Sequence, residues 1–201
     1  MLIEHLEKSP TIDPEAYVAP TATVCGDVTI AAGARILHGA SIVAEGGSIT
    51  IGSMCIVLQN AVVRSTGRCS TVIERQCLIG PNAHVVGCRL AEQVFVATGA
   101  AVFHGSTLEA RSEVRIHGVV HVNSRLPADA TVPIGWIAVG DPAEILPPDQ
   151  HDEIWAIQKE LNFPETVYGV ERTMLEGKSK MPEVTRRLSE LYGSFRSDRM
   201  L

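Results

Sequence analysis

Aliphatic side chains recur at every sixth position between Tyr17 and Leu126. The anchors run from Val18 to Ile42, Ile51 to Val63, Ile73 to Val85 and Leu90 to Leu126, each in steps of six. In most repeats a small residue stands four positions after the anchor, as at Ala22, Ala34, Cys55, Cys77 and Ser106. Neither a strand, with a period of about two, nor a helix, with a period of about 3.6, produces such a step.

A six-residue repeat of this length predicts a parallel β-helix, because each short segment can bury its apolar side only by stacking on its neighbours. If three segments form one triangular coil, each anchor points inward and stacks on an anchor about eighteen residues away, with coils roughly 4.8 Å apart. This arrangement puts Val85, Val102 and Val120 on one face in successive coils. We expect about six coils.

The pattern divides the chain into residues 1–16, an N-terminal lead-in; 17–146, the β-helix; and 147–201, a helical extension. Two insertions interrupt the step of six, one at Glu45-Gly46-Gly47, where glycines allow a turn or bulge, and one at 64–72, a polar run without anchors. We expect the second interruption to be a loop that protrudes from a coil corner.

Two helices are predicted in the extension. The first is capped by Asp149, carries Ile154 and Leu161 on one face and ends at Pro164. It should fold back along the prism or reach a neighbouring subunit. The second runs from Pro182 to Tyr192. Residues 166–181 between them are expected to form an extended arm.

Composition agrees with a narrow prism and excludes some partners. Hydrophobic residues are 45% of the chain but aromatic residues only 4%. The formal net charge of −6 disfavours nucleic acid as a partner, because phosphate binding needs a basic face. No segment is apolar enough to span a membrane, and no signal-peptide pattern is present. We therefore expect no nucleic-acid partner, no membrane association and a cytoplasmic location.

The five cysteines show no short paired spacing. Cys55 and Cys77 occupy the small-residue position of the repeat, so they are expected to pack in the core. Reduced thiols agree with an intracellular protein.

Segments between Val24 and Ile145 resemble the γ-class carbonic anhydrase-like family of hexapeptide-repeat proteins. The resemblance rests on residues 26–30 (GDVTI), 47–52 (GSITIG), 58–60 (LQN), 80–88 (GPNAHVVGC) and 139–145 (VGDPAEI). It implies an all-β, single-stranded left-handed parallel β-helix, here with C-terminal α-helices, that assembles as a homotrimer. It also implies metal sites between subunits, in which three neutral His nitrogens hold Zn²⁺ and leave one position open for an activated water.

The residues at the three implied ligand positions contain no imidazole. The family's run Gly-His-x-Ala-x-x-His-Gly-Cys has Pro81 and Val86 in its two His positions, and the third ligand falls near Ser65. Of the family's Gln-Asp-Asn-like stretch, Gln59 is retained and is a catalytic candidate. We expect no zinc at the usual site and no hydration of CO₂.

The remaining histidines leave two enzymatic alternatives. A displaced metal site could use His84, His117 and His121, although positions two coils apart are separated by about 9.5 Å and would need a neighbouring subunit. An acyltransferase of the acetyltransferase type would bind coenzyme A and use His104 as general base. If the chain is an enzyme, acyl transfer is favoured over standard carbonic anhydrase chemistry. Outward histidines can also simply be hydrogen-bonded at an interface.

The favoured hypothesis is a structural or binding protein whose functional form is the trimer. An exposed apolar face with Val86, Phe103 and Val122 is better covered by a neighbour than by water. Packing across subunits would bury Trp155 and Leu188, and a small molecule could bind at the subunit interface.

Overall fold

The computed structural model describes residues 1–170 and 179–201. Its body is a parallel β-helix in which each six-residue step forms one short strand and a turn, and three steps complete a coil. The predicted all-β class with C-terminal helices is therefore confirmed. Within the described residues, no helix combines the length and the apolarity that crossing a membrane would require.

The strands form three sheets, which we call the covered face, the polar face and the open face. The covered face contains β1 Leu2–Glu4, β4 Thr23–Cys25, β7 Ser41–Glu45, β10 Val62–Thr66, β13 His84–Val86, β16 Ala101–Val102, β19 Val119–Val120, β22 Ile137–Val139, β23 Glu144–Leu146 and β24 Arg199–Met200. The polar face contains β2 Thr11–Ile12, β5 Val28–Ile30, β8 Ile49–Ile51, β11 Thr71–Ile73, β14 Arg89–Leu90, β17 Thr107–Leu108 and β20 Arg125–Leu126. The open face contains β3 Tyr17–Val18, β6 Arg35–Ile36, β9 Ile56–Val57, β12 Leu78–Ile79, β15 Phe95–Val96, β18 Glu113–Val114 and β21 Thr131–Val132.

The anchors stack inside the prism as the period predicts. Val85 pairs with Val102, and Val102 pairs with Val120, in successive coils of the covered face. Cys55 and Cys77 are buried in the same core, and the Cys55 thiol donates to the Glu74 carbonyl at 2.8 Å. The small-residue position is thus a packing position, as expected.

The number of coils was underestimated. Eight strands of the covered face run parallel, from β1 to β22, so the solenoid has about eight turns rather than six. The lead-in contributes the first turn, because β1 pairs in parallel with β4 and β2 with β5. Ile12 lies one step of six before Val18, but Leu2 pairs with Val24 at a distance of 22 positions, so the step of six does not extend to the first strand.

The predicted loop at residues 64–72 is mostly strand. β10 extends to Thr66 and β11 begins at Thr71, which leaves only residues 67–70 as a turn. Ser65 and Thr71 replace aliphatic anchors with inward hydroxyls: Ser65 Oγ donates to the Gly47 carbonyl at 2.7 Å, and Thr71 Oγ1 accepts from the Gly87 amide at 2.8 Å. Internal hydrogen bonds therefore continue the coil where aliphatic side chains are absent.

The C-terminal extension folds back along the covered face. It contains α1 His151–Gln158, a 3₁₀ turn Lys159–Leu161, α2 Phe163–Tyr168, α3 Met181–Gly193 and a 3₁₀ turn Ser194–Ser197. α1 contacts the last coil at β22, and β24 pairs antiparallel with β1 of the first coil. The extension thus returns along the length of the prism, which is one of the two predicted courses.

Details of the helices differ from the prediction. Gln150, not Asp149, is the N-cap of α1, and the chain leaves the first helical segment at Asn162, whose φ of 48° is left-handed. Pro164 does not end a helix but lies in the first turn of α2, where its missing N–H costs nothing. α2 includes part of the predicted extended arm; residues 171–178 of that arm lie outside the described residues. The second predicted helix is confirmed as α3.

Candidate functional site

The C-terminal helices enclose a cavity of about 510 Å³ against the coils of the covered face. Its coil wall includes Glu45, Arg64, His84, Val86, Phe103 and His104, and its helix wall includes Phe163, Tyr168, Leu188, Leu191 and Tyr192. A volume of this order is typical of small-molecule sites, and the lining combines apolar surface with a few charged or ring-nitrogen groups. We take this covered-face cavity as the candidate functional site.

Two neighbouring coils position the charged groups of the cavity. β7 and β10 pair over five residues, a longer ladder than elsewhere in the prism, and β10 places Arg64 beside Val86 of β13. Arg64 donates from Nε and Nη2 to the Glu45 carboxylate at 3.2 and 2.6 Å. Burial alone would lower the pKa of Arg64, but the hydrogen bond to Glu45 and its charge raise it above the ordinary value. The guanidinium of Arg64 is therefore charged, and the pair is largely withdrawn from water.

Two histidines of the cavity wall are held neutral. Burial, with the charge of Arg64 adding to it, lowers the pKa of His84 and lowers that of His104 to about 4. Only 6% of His104 is exposed, and its Nδ1 has no hydrogen-bond partner among the described residues. The Phe103 ring lies 6.2 Å from that of His84. At neutral pH both rings can accept a proton or hydrogen bond but carry no charge.

The helix wall is tied to the coils by polar and aromatic contacts. The Asn123 amide donates to the Leu161 carbonyl at 3.1 Å and to Thr166 Oγ1 at 2.9 Å. Phe163 stacks edge-on against Tyr168 with ring centroids 5.9 Å apart. These contacts hold α2 over the coils, so the chain itself forms this wall of the cavity.

Serine, proline and valine occupy the three positions where the resemblance implies zinc ligands, and none of them carries an imidazole. Ser65 points into the prism, fully buried, and the side chain beside Val86 in the adjacent coil is that of Arg64. Val86 is apolar, and Pro81 lacks a donor atom.

The other predicted residues lie in different places. His84 and His104 line the cavity, whereas His117 is exposed at the opposite corner of the face, where its ring lies against Gly99. His121 is buried near Phe163, with ring centroids 6.2 Å apart and Nδ1 without a partner among the described residues. His84, His117 and His121 are therefore not brought together within one chain. Gln59 is exposed, stacked on Pro81 at the corner that carries His117.

Sequence reasoning missed the Arg64–Glu45 pair and the helix wall. A signal was present for the pair, because the two interruptions of the repeat are about one coil apart and must therefore stack. Gly46 and Gly47 of the first interruption indeed pack against the backbone of Gly67 and Thr66 in the second. The helix wall had no such signal, since no period relates its residues to the coils.

Val86 and Val122, which were expected to be exposed and covered by a neighbouring subunit, are 1% and 0% exposed within the single chain, and Phe103 is half-buried. The chain's own extension lies over this face. Leu188 is half-buried at the cavity in the same chain, whereas Trp155 remains 46% exposed.

The chain is similar to curated carbonic anhydrases and to a solved hexapeptide transferase family protein, whereas no protein-family model matches it. The chain is 30% identical over 151 residues to gamma carbonic anhydrase 1, mitochondrial, of Arabidopsis thaliana, a match that covers 72% of this chain and 53% of the relative. It is 29% identical over 151 residues to gamma carbonic anhydrase 2, mitochondrial, of the same plant, covering 72% of this chain and 52% of that protein. The chain thus spans about half the length of the curated relatives it matches.

Among solved structures, a hexapeptide transferase family protein from Anaplasma phagocytophilum is similar with a TM-score of 0.54 and 30% identity. The match covers 80% of this chain and 91% of that one. The similarity therefore includes nearly all of a solved protein and most of the solenoid described above.

Proposed function

Because the chain belongs to the γ-carbonic anhydrase-like family of hexapeptide-repeat proteins, we propose that it is a structural or binding member that does not hydrate CO₂. The observation that carries the proposal is the residue set at the ligand positions: Ser65 is inward and bonded to the Gly47 carbonyl, Pro81 has no donor and Val86 is apolar. Without three imidazoles, this place lacks the ligands that would hold a zinc ion, and with it the ion that would lower the pKa of a bound water.

The binding role is assigned to the covered-face cavity. Its wall offers apolar and aromatic surface together with the Arg64–Glu45 pair and two neutral imidazoles. A small molecule with an apolar body and a polar group that accepts or donates hydrogen bonds matches this lining. The ligand would sit inside one chain, beneath α2 and α3, rather than between subunits.

The test is a stopped-flow measurement of CO₂ hydration between pH 7 and pH 9, with and without added Zn²⁺, beside a carbonic anhydrase as positive control. We expect the rate of buffer alone. A rate above it that disappears in His84→Ala or His104→Ala, and not in the matched surface variant His38→Ala, would overturn the proposal.

We also propose that the protein is a homotrimer that uses its open face. Four of its seven outward strand residues, Tyr17, Ile56, Leu78 and Phe95, are apolar. Tyr17 is 45% exposed and Ile56 38%, and Leu58, Leu78 and Phe95 line a second cavity of about 360 Å³. Exposed apolar patches of this kind are typical of interfaces. Size-exclusion chromatography with light scattering should give the mass of three chains, and a monomer at micromolar concentration would contradict the trimer.

Acyl transfer is the second candidate, favoured by one observation, the neutral His104 at the cavity wall with an unpartnered Nδ1. A general base must be unprotonated to act, and the Anaplasma relative is described as a hexapeptide transferase family protein. The test is calorimetric titration with acetyl-CoA of the wild type and of His104→Gln, with His38→Gln as control. Absence of heat at millimolar acetyl-CoA in the wild type would exclude this alternative.

A further inference from the structure

A second cluster of ligand-type side chains lies at the first coil. One potential ligand atom from each of His5, Cys25 and Asp198 lies within 4.8 Å of the others. Within residues 1–170 and 179–201, this is the one group of three or more His, Cys, Asp or Glu side chains arranged closely enough to hold a metal ion. None of the three belongs to the positions that the family resemblance singles out.

Three separate elements bring the cluster together. His5 follows β1, Cys25 ends β4, and Asp198 directly precedes β24. β1 pairs in parallel with β4 and antiparallel with β24, so the backbone ladder places all three residues at the same end of these strands. The cluster thus joins the beginning of the chain to its end.

The His5 ring is enclosed but not fully satisfied. It is 3% exposed, and its Nδ1 lies 2.7 Å from Oδ1 of Asp198. The other nitrogen, Nε2, is buried without a hydrogen-bond partner among the described residues. The Phe195 ring packs edge-on against it at 4.3 Å. A buried ring nitrogen without a partner is costly unless another group completes the site.

The donor set identifies the kind of ion. A thiol, an imidazole and a carboxylate are ligands of zinc, and the soft sulfur disfavours Mg²⁺ and Ca²⁺. Cys25 is 5% exposed, whereas about a third of the Asp198 side chain is exposed, which leaves an open side for a water as fourth ligand. A nucleophilic role for the thiol fits less well, because burial, then the charges of Asp198 and Glu45, raise the pKa of Cys25 to about 11.

We propose that His5, Cys25 and Asp198 bind a zinc ion that fastens the C-terminal tail to the first coil. On binding, the Cys25 thiol loses its proton to solvent and the sulfur donates its electron pair to the ion. His5 would bind through a ring nitrogen that carries no proton and would keep its ring proton on the other nitrogen. One carboxylate oxygen of Asp198 would bind the ion as the third protein ligand. Because α3 leads directly to this tail, the ion would also hold α3 over the covered-face cavity.

The experiment uses the full chain, stripped with a chelator and then loaded with Zn²⁺ or Co²⁺. We expect about one zinc per chain by mass spectrometry of the dialysed protein, and a thiolate-to-cobalt charge-transfer absorption with Co²⁺. Cys25→Ser should abolish that absorption and weaken zinc binding by about 10- to 100-fold, and Asp198→Asn should weaken binding to a similar degree. Cys69→Ser, at a half-buried cysteine outside the cluster, is the matched control and should bind as the wild type does.

Circular dichroism of each variant establishes whether it folds. If Cys25→Ser does not fold, the zinc affinity of Asp198→Asn tests the proposal instead. A folded wild type that takes up less than about a tenth of an equivalent and shows no thiolate absorption would overturn the proposal. Equal binding by Cys25→Ser and wild type would overturn it as well. The result is independent of the proposed function, because these measurements do not involve CO₂, His84 or His104.

Discussion

The covered face and the open face arise from the same six-residue repeat but end in opposite surroundings. In the covered face, outward Cys25 and Val86 are 5% and 1% exposed, whereas on the open face outward Tyr17 and Ile56 are 45% and 38% exposed. On both faces the outward residue stands next to an inward anchor in the sequence, and such residues pair from coil to coil. The repeat therefore decides what points inward, and the C-terminal extension decides which face is shielded from water.

The difference separates two kinds of surface chemistry. Beneath the helices a half-buried ion pair, neutral histidines and a cavity coexist, because water is largely excluded. The open face has a smaller cavity and apolar side chains without a cover from the same chain. We infer that the first face serves binding and the second serves assembly, and the following experiments test that division from the largest expected effect to the smallest.

Ile56→Lys on the open face should convert the proposed trimer to a monomer, because each subunit would place an ammonium group in an apolar contact. Thr50→Lys on the polar face is the control and should leave the mass unchanged. Light scattering after size exclusion measures both. A trimer that persists in Ile56→Lys at micromolar concentration would assign assembly to another face.

Val86→Lys on the covered face should lower the free energy of unfolding by about 3 kcal/mol or more, because it buries a cation beside Arg64 in place of an apolar side chain. Ile134→Lys, at a residue that is 66% exposed, should cost less than about 1 kcal/mol. Urea unfolding monitored by circular dichroism gives both values. Equal costs would show that the helices do not shield the covered face in solution.

Glu45→Gln should lower the free energy of unfolding by about 2 kcal/mol, because it leaves the half-buried Arg64 without its carboxylate partner. The matched change Glu74→Gln removes the partner of Arg89 on the polar face, where the Arg89 side chain is 56% exposed, and should cost about 0–1 kcal/mol. A double-mutant cycle with Arg64→Met and Arg89→Met measures the two couplings. Similar coupling energies would contradict the contrast in burial.

Acidification should destabilise the covered face by a smaller amount. The pKa of His104 is lowered to about 4 in the folded chain, so the unfolded chain binds the proton more readily and stability falls as pH drops below about 6.5. Between pH 7.5 and pH 5.5 the loss from this residue should be about 1 kcal/mol. In His104→Gln, the free energy of unfolding measured by urea at pH 7.5 and pH 5.5 should differ by about 1 kcal/mol less than in the wild type. An unchanged slope would show that His104 is not shielded.

Much of the solenoid was predictable because its interior obeys a local rule. Anchors such as Val85 and Val102 stack one coil apart, and the small residues at Cys55 and Cys77 fit the space between them. The first coil was missed because Leu2 and Val24, which pair, are 22 positions apart instead of about eighteen. The strand at Ser65 was missed because buried hydroxyls stand there in place of aliphatic anchors.

The candidate site was predictable only in part. His84 and His104 were identified as unusual residues, and the structure places both at one cavity. Leu188 and Tyr192, on the opposite wall, come from a helix whose own pattern predicts its apolar side but not the face against which it packs. The cluster of His5, Cys25 and Asp198 was not predicted at all, because 193 positions separate its first and last members.

The sequence by itself determined the fold class, because a step of six in aliphatic residues can be buried only in stacked coils. It also determined that Ser65, Pro81 and Val86 supply no imidazole. The tertiary structure alone decided which face is covered, that Arg64 rather than Ser65 lies beside Val86, and which groups are neutral or paired. The physical reason is that the repeat is a short-range pattern, whereas burial of an outward side chain depends on a segment that returns from the other end of the chain.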